Sequence, residues 1–318
     1  MKIHLVTPAK KNARNGNRTS AMRWAGLLRT AGHVVHIDTE YNGESTDLMI
    51  ALHAWRSAGA IDRYRQRFPD GPLIVALGGT DVNGFLKSDP ETTLRSIRAA
   101  DALVCLHDLI ADELPFDQRQ KLHVIRQSAR PLAGPRKPVR KHFDVCVIGH
   151  LREEKDPFRA AQASALLPET SRLRVIHLGK AHDPQWQEQA EQEMCRNPRY
   201  TWKGEVPAWR VRREFQRTHL MVISSNQEGG ANVVSEAIVA GVPIIASDIP
   251  GNVGLLGADY PGYYSVGDEQ ALAKLLNRAE TEPEWLAGLE HYCRSLEECF
   301  TPETEAAAWG VLVESCGG

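Results

Sequence analysis

Two carboxylates, Glu228 and Glu236, stand at the two ends of the segment EGGANVVSE. The apolar run before this segment predicts a strand and the segment itself predicts the start of a helix, so the carboxylates flank a strand-to-helix turn. Gly229 and Gly230 allow the backbone to approach a ligand closely, and the amides from Gly230 to Val233 open the helix, where free N–H groups favour phosphate. We expect Glu228 beside a phosphate-bearing ligand and Glu236 in position to accept hydrogen bonds from sugar hydroxyls. The alternative is a helix that simply begins with Glu and Gly.

Basic residues are concentrated in two stretches that contain no acid. Residues 1–37 hold seven Lys and Arg, and residues 119–143 hold eight. Such stretches favour a small anionic ligand, and the alternative is a solvated basic face. Part of the first stretch surrounds the sequence NGN at 15–17, just before a helix that we predict over 19–33 with Thr19 as its cap. The cations of this loop are Lys10, Lys11, Arg14 and Arg18.

Composition limits the class of protein. The chain has 318 residues, which predicts two domains, and its formal charge is −2, which argues against a globally basic nucleic-acid binder. No helix-turn-helix, zinc-knuckle or RNP pattern occurs, and no apolar run approaches the roughly 18 residues of a membrane span. The six Cys form no CxxC pair. The apolar stretch at the start of the chain is too short for a signal peptide. We therefore expect reduced thiols and a cytoplasmic protein with no nucleic-acid partner.

The order of predicted elements is strand, turn, helix, repeated along the chain. Apolar runs at 2–8, 34–38, 47–54, 72–79, 100–107 and 121–128 predict one series of strands, and runs at 143–150, 172–179, 219–225 and 242–248 predict a second. The segment 131–142 is rich in Pro and basic residues and is typical of a linker. We expect an α/β protein with two Rossmann-like domains, 1–138 and 139–300, that face each other across a cleft. A predicted helix at 301–318 would pack back on the first domain.

The segment EGGANVVSEAIVAGVPIIASD resembles the E-x7-E region of GT-B glycosyltransferases of the family 4 type. The resemblance implies a GT-B fold in which Glu228 contacts the donor sugar and Glu236 holds the nucleotide ribose. Upstream, VIGHLREEK at 147–155 is similar to the family segment whose Arg and Lys bind the donor diphosphate. Lys155 matches that Lys. The Arg position holds His150, so either Arg152, two residues later, takes the place of the Arg or His150 serves in another way.

The first half is less similar to the family. A His-Gly-Thr-Asp-like segment of the family corresponds to Gly78-Gly79-Thr80-Asp81 here, so Gly78 replaces a His that meets the donor sugar or the acceptor in relatives. His53 is the candidate replacement, and the alternative is a histidine that merely ends a strand. The sequence contains no DxD-like triplet at a strand end, and Asp81 and Asp89 look isolated. We expect no cofactor and no metal.

Further segments resemble one group within that family, the selenosugar synthases of selenoneine biosynthesis. These segments are NGNR at 15–18, QSA at 127–129, GHLR at 149–152 and DYPGY at 259–263. The resemblance implies that a UDP-sugar, of the UDP-N-acetylglucosamine or UDP-glucose type, reacts with selenophosphate to give a 1-selenosugar, UDP and phosphate. It also implies a functional link to selenophosphate synthetase and to the next enzyme of that route. The resemblance and the residue types together predict three sets of site residues. The predicted catalytic residues are Glu228, Lys155 and His53, and the predicted donor-binding residues are His150, Arg152, Lys155, Gly229, Gly230, Ala231, Asn232 and Glu236. The predicted acceptor-binding residues are Asn15, Gly16, Asn17, Arg18, Thr80, Gln127 and Ser128.

Other functions stay open at this point. One alternative is a GT-B glycosyltransferase with a lipid, sugar or thiol acceptor. A lipid acceptor would use an amphipathic basic helix, for which the predicted first helix offers Arg23, Trp24 and Arg29. A further alternative is a sugar-nucleotide epimerase or a non-catalytic sensor of the same fold. The anomeric outcome and the removal of the phosphoryl group also stay open.

Overall fold

The computed structural model describes residues 1–13 and 15–317, and the chain forms two compact units. Unit 1 comprises Met1–Ser128 and Thr301–Gly318, and unit 2 comprises Ala129–Phe300. The strands are β1 Lys2–Val6, β2 Val34–Asp38, β3 Leu48–Leu52, β4 Leu73–Ala76, β5 Ala102–Cys105, β6 Leu122–Val124, β7 Phe143–Ile148, β8 Leu173–Leu178, β9 Tyr200–Trp202, β10 Leu220–Ile223, β11 Ile244–Ser247 and β12 Tyr263–Tyr264. The helices are α1 Gly16–Thr30, α2 Ala58–Arg67, α3 Leu86–Ser88, α4 Pro90–Ala99, α5 Phe116–Arg119, α6 Arg159–Ala165, α7 Pro184–Arg196, α8 Ala208–Arg217, α9 Asn232–Val239, α10 Pro250–Leu256, α11 Glu269–Thr281, α12 Pro283–Ser295 and α13 Pro302–Gly317. A π-helical turn lies at Asp81–Phe85, and 3₁₀ turns lie at Asp108–Glu113, Glu153–Lys155 and Glu297–Phe300.

Each unit is built on a parallel six-stranded sheet. The strand order is β2-β1-β3-β4-β5-β6 in unit 1 and β12-β11-β10-β7-β8-β9 in unit 2. Parallel strands need crossover connections, and the helices of these connections cover both faces of each sheet. This is why the central strands consist of buried apolar residues rather than an alternation with polar ones. The α/β class with two Rossmann-like domains is confirmed.

The unit 1 sheet separates two apolar layers. Alternate strand residues such as Ile3 and Ile50 pack with α1 and α13, whereas their neighbours Met49 and Ala51 pack with the layer that contains Ile61 of α2. The period of two along a strand sends successive side chains to opposite faces. One short apolar run therefore serves two layers of helices.

Helix α1 begins earlier than the sequence predicted. The side chain of Asn15 accepts a hydrogen bond from the Arg18 amide at 3.0 Å and caps the helix, which starts at Gly16. We expected Thr19 to be the cap. The Asn15 cap takes precedence because its oxygen satisfies an N–H that would otherwise lack a partner in the first turn.

Helix α13 is attached to unit 1 through one buried carboxylate. Glu305 is 2% exposed. It accepts hydrogen bonds from Arg23 Nε (2.9 Å), Trp24 Nε1 (2.9 Å) and the Ser128 amide (2.8 Å), and the Ser128 hydroxyl also donates to it. The rings of Trp24 and Trp309 pack at 4.9 Å between centroids. The charged and apolar contacts together place this helix with the first 128 residues of the chain.

The segment before β7 belongs to unit 2, not to the N-terminal domain that we predicted to extend to residue 138. Its backbone amides at Lys137 and Val139 donate to carbonyls of α8, at 2.7 and 3.0 Å. Arg212 of the same helix donates to the carbonyl of Arg130. These bonds satisfy the backbone of a Pro-rich segment that cannot join a sheet.

The described residues contain no helix that is both long enough and apolar enough to cross a membrane. The cysteines are free thiols, and burial raises the pKa of the Cys105 thiol to about 12.

We expect Glu305→Ala to lower the free energy of unfolding by about 3–5 kcal/mol, because it leaves Arg23 and the Trp24 N–H without their buried acceptor. Urea denaturation followed by circular dichroism measures this change. Glu314→Ala, on the exposed face of the same helix, is the matched control and should stay within about 0.5 kcal/mol of wild type. Equal effects of the two substitutions would contradict the role of Glu305.

Candidate functional site

The charged residues that follow β7 and β10 meet at one point of the unit 2 sheet. The chain leaves β7 toward β8 on one side and later returns to β10 on the other, so the loops after these two neighbouring strands diverge. Such a switch point is where open α/β sheets bind ligands. An open pocket lies here, lined by Val147, Ile148, Gly149, His150, Lys155, Pro157, His177, Val222, Ile223, Ser224 and Ser225.

Lys155 and Glu228 form an ion pair at this pocket. Lys155 Nζ donates to Glu228 Oε1, and the Ser225 hydroxyl donates to the same oxygen at 2.6 Å. The side chains of Lys155 and Glu228 are 19% and 10% exposed to solvent, so a ligand can reach both. A cation and a carboxylate with partial solvent access can bind a phosphate and a hydroxyl at neighbouring positions.

The loops that hold this pair are bonded to each other. The Ser224 hydroxyl donates to the Asp156 carbonyl at 2.8 Å, and the Asn226 amide donates to the Glu154 carbonyl at 2.9 Å. The Ser247 hydroxyl, at the end of β11, donates to the Ser225 carbonyl at 2.6 Å. Lys155 and Glu228 are therefore fixed by backbone contacts as well as by their own ion pair.

Gly251 lets α10 approach the turn that carries Glu228. A Cβ at this position would lie 2.7 Å from the Glu228 Cβ, closer than real Cβ atoms come. Asn252, the next residue, is fully buried and donates to the Ser247 carbonyl at 2.9 Å. The sequence analysis did not identify this support, although the segment IPGN follows directly after the segment that resembles the family.

The glycine turn before α9 adopts the expected conformation. Gly230 has φ of +109°, a backbone region that favours glycine, and α9 begins at Asn232 after Ala231. Gly229 is half-buried beside it, and Glu236 lies in the second turn of α9, also half-buried. The structure therefore brings the predicted donor residues of this segment to the same edge as Lys155.

Of the two candidates for the missing Arg, His150 lines the pocket. Its Nδ1 accepts a hydrogen bond from the Lys180 amide at 3.1 Å. The Arg152 side chain is 42% exposed, and its Nε lies 3.7 Å from Glu154 Oε2. Among the described residues, Arg152 does not line this pocket.

His177 lines the pocket, and its imidazole is neutral. It is fully buried, its Nδ1 lies 2.9 Å from the Tyr200 hydroxyl and its Nε2 lies 3.0 Å from the Gly149 carbonyl. The carbonyl requires an Nε2–H donor, so Nδ1 accepts from Tyr200. Burial is the largest cause that lowers the pKa of His177, to about 4.

In unit 1, His53 follows β3, which is next to β1 at the switch point of that sheet. Its Nδ1 lies 2.6 Å from Asp81 Oδ1 and its Nε2 lies 2.7 Å from Thr80 Oγ1. A Cβ on Gly78 would lie 2.9 Å from the His53 ring, so the glycine leaves the space that this ring occupies. Asp81 is not isolated, as the sequence suggested, because β3 and β4 are neighbours and their ends meet.

Apart from Thr80, which contacts His53, the residues predicted for the acceptor fall into two groups. Asn15, Gly16, Asn17 and Arg18 form the cap and first turn of α1, with Asn15 and Gly16 exposed, while Arg14 of the same loop lies outside the described residues. Gln127 and Ser128 are both 6% exposed and face inward. Gln127 donates to the Ser20 hydroxyl at 2.9 Å, and Ser128 is bonded to Glu305. Gln127 and Ser128 therefore use these donor groups to hold α1 and α13.

Among the residues that the structure describes, no group of three or more His, Cys, Asp or Glu is arranged to hold a metal ion.

The family model of glycosyl transferases group 1 matches residues 135–295, just over half of the chain and all within unit 2. The chain belongs to the glycosyl transferases group 1 family. The matched segment contains both Lys155 and Glu228. The sequence resemblance to GT-B glycosyltransferases is thus confirmed at the level of the family.

Whole-chain relatives agree with this membership. A glycosyltransferase 1 domain-containing protein 1 from Xenopus tropicalis is 26% identical over 299 residues, which is 86% of each chain. Sucrose-phosphate synthase from Thermosynechococcus elongatus superposes with a TM-score of 0.81 at 17% identity, covering 99% of this chain and 98% of that one. HepE from Anabaena, in complex with UDP and glucose, superposes with a TM-score of 0.77 at 16% identity, covering 99% and 100%. At such identities the structural likeness shows the GT-B fold.

The neutral state of His177 predicts a loss of stability in acid. Its pKa of about 4 in the folded protein lies below the ordinary histidine pKa of 6.5, so its contribution to stability is complete above pH 6.5 and is lost as the pH falls toward 4. As the pH falls from 7 to 5, the histidine takes up a proton in the unfolded state but not in the folded state. We expect this difference to lower the free energy of unfolding by about 2 kcal/mol. Urea denaturation of wild type and His177→Gln at both pH values measures this share, and the variant should show the weaker pH dependence. His182→Gln, at an exposed position, is the control, and an unchanged pH dependence in His177→Gln would contradict the assignment.

Proposed function

We propose that this glycosyltransferase moves a sugar from a UDP-sugar, of the UDP-N-acetylglucosamine or UDP-glucose type, to the selenium of selenophosphate. The products would be a 1-selenosugar, UDP and phosphate. The observation that carries the donor half is the Lys155–Glu228 pair at the switch point of unit 2. The UDP complex of HepE, a structural relative, supports a uridine nucleotide.

The donor would bind along the edge of unit 2. Lys155 and the first amides of α9 would bind the diphosphate, and their positive charge would stabilise UDP as it leaves. Glu228, held by Ser225 and Lys155, would accept hydrogen bonds from the hexose, and Glu236 would accept from the ribose. His150, fixed by the Lys180 amide, would contact the donor where relatives have an Arg.

The acceptor would bind in unit 1. The first turn of α1 carries Arg18 and follows the exposed cations Lys10 and Lys11, in a stretch without acids. Cations and free amides of a helix start suit a small anion. Selenophosphate is such an anion, and its selenium is a strong nucleophile that needs little help from a base. Catalysis would then depend on orienting the selenium and stabilising the leaving group.

The feature that favoured a lipid acceptor has another role. Trp24 is 1% exposed and donates to Glu305, and Arg23 bonds the same carboxylate. These two side chains therefore hold α13 and do not form an amphipathic surface.

The deciding experiment mixes the purified protein with a panel of UDP-sugars and enzymatically made selenophosphate under anaerobic conditions, with EDTA present. Mass spectrometry should show a selenium isotope pattern on a hexose or N-acetylhexosamine, and UDP should appear only when selenophosphate is added. Turnover should persist in EDTA. UDP-sugar binding without selenium-dependent turnover would contradict the acceptor and leave a lipid, sugar or thiol in its place. An altered sugar without UDP release would indicate an epimerase.

Single substitutions should separate the two substrates. Arg18→Ala should raise the KM for selenophosphate about tenfold and that for the UDP-sugar much less, because one charge-assisted contact to the anion is lost. Glu236→Ala should weaken UDP binding about tenfold, and Lys155→Ala should lower kcat by roughly 10²–10³-fold through lost leaving-group stabilisation. Steady-state kinetics and calorimetric titration with UDP measure these effects.

Exposed basic residues supply the controls. Arg98→Ala on α4 and Lys274→Ala on α11 remove the same charges elsewhere and should leave both KM values unchanged. An equal effect of Arg18→Ala on both substrates would contradict the placement of the acceptor at α1.

A further inference from the structure

Thr80, His53 and Asp81 form a hydrogen-bonded series at the carboxyl edge of the unit 1 sheet. Thr80 Oγ1 lies 2.7 Å from His53 Nε2, and His53 Nδ1 lies 2.6 Å from Asp81 Oδ1. The order of groups is a hydroxyl, an imidazole and a carboxylate, the arrangement that activates a nucleophile in acyl and phosphoryl transfer.

The surroundings of Asp81 determine where the protons lie. Asp81 is completely buried and also accepts hydrogen bonds from the backbone amides of Ala54 (2.8 Å), Trp55 (2.9 Å) and Gly78 (2.8 Å). The Arg56 amide also lies 3.3 Å from His53 Nδ1, but the Asp81 carboxylate is closer, at 2.6 Å, and can only accept, so we assign the proton of the neutral ring to Nδ1. Nε2 then carries a lone pair, and the Thr80 hydroxyl donates to it.

The fold holds His53 in this position against a local preference. Its φ of +80° lies in the region that favours glycine, and a side chain at position 78 would collide with its ring. His53 is 2% exposed, whereas Thr80 is exposed to solvent. The imidazole and carboxylate are thus inside and the hydroxyl is the group that a substrate meets.

A cation lies near the Phe85 ring, which neighbours the His53 ring. Arg56 is exposed, and its guanidinium lies 6.0 Å from the centre of the Phe85 ring. That ring lies 5.8 Å from the His53 ring. A guanidinium suits a phosphoryl group better than an uncharged acyl group.

We propose that Thr80 is a nucleophile that removes a phosphoryl group from selenium, with His53 as its base and Asp81 as a positioning residue. This inference rests on the proposed function, in which sugar transfer to selenophosphate leaves a phosphoryl group on the selenium of the sugar. The reaction must release phosphate, and the Thr80–His53 contact supplies a hydroxyl group and a base for that step.

Removal of the phosphoryl group takes two displacements at phosphorus. The Oγ–P bond forms and the P–Se bond breaks, while the Thr80 proton passes to His53 Nε2 and the electron pair of the broken bond stays on selenium. His53 returns this proton to the selenolate. A water then attacks phosphorus with His53 as base, the Oγ–P bond breaks, and Thr80 Oγ takes up the proton. The sum is a phosphoselenyl sugar plus water giving a selenol and phosphate.

The first test does not depend on any sugar. A fluorophosphonate, which phosphonylates activated hydroxyls, should label wild type at Thr80, as read by peptide mass spectrometry, and should label Thr80→Ser but leave Thr80→Val unlabelled at that position. His53→Gly should reduce labelling at least 100-fold, and added imidazole should restore it. Glycine suits the φ of +80°, so this variant is expected to fold. Absence of label on wild-type Thr80, or equal labelling in His53→Gly, would overturn the nucleophile.

The second test uses the full reaction. With a UDP-sugar and selenophosphate, acid-quenched wild type should carry phosphate on Thr80, and Thr80→Val should release UDP without an equal amount of phosphate. Equal release of UDP and phosphate by Thr80→Val would overturn the proposal. If wild-type Thr80 is labelled by the fluorophosphonate but no UDP is released with selenophosphate, the nucleophile stands and selenophosphate is overturned as the substrate. Thr39→Val, at another exposed threonine, is the control and should match wild type in both tests.

Discussion

Both sheets are entirely parallel, and the rest of the molecule follows from that constraint. A parallel strand needs a crossover helix before the next strand, so helices cover both faces and the strands hold little besides apolar residues. Polar side chains are therefore displaced to the strand ends. At each switch point the loops after two adjacent strands diverge, and room for a ligand remains. His53 follows β3 at the first switch point, and Lys155 and Glu228 follow β7 and β10 at the second.

Paired charges serve different purposes in the two units. In the ion pair between Arg23 and Glu305, the side chain of Glu305 is only 1% exposed, and the pair holds α13 in place. The pair of Lys155 and Glu228 keeps 19% and 10% exposure, so its charges remain available to a ligand. Burial makes the first pair structural, because a ligand cannot replace either partner. Partial access makes the second pair suitable for binding, because a phosphate can compete for the lysine.

Close backbone packing explains how the functional groups are oriented. Gly251 allows α10 to press against the turn of Glu228, and Gly78 leaves room for the ring of His53. In each case a side chain would displace a functional group from its partners. A carboxylate or imidazole that is already oriented before a ligand arrives needs no rearrangement, and that is how electrostatic stabilisation becomes effective.

The sequence by itself determined the α/β class, the strands other than β9 and β12, and the segment from Glu228 to Glu236, because periodicity, glycine turns and helix starts are local properties. It placed Lys155 and Glu228 in separate motifs, and their contact follows only from the adjacency of β7 and β10. The tertiary structure alone decided that Asp81 meets His53 and that Gln127 and Ser128 bond inward to α1 and α13. It also decided that the segment before β7 belongs to unit 2. These contacts join residues distant in sequence, and the order of strands in a sheet depends on packing summed over the whole unit. A local sequence pattern therefore does not determine the strand order.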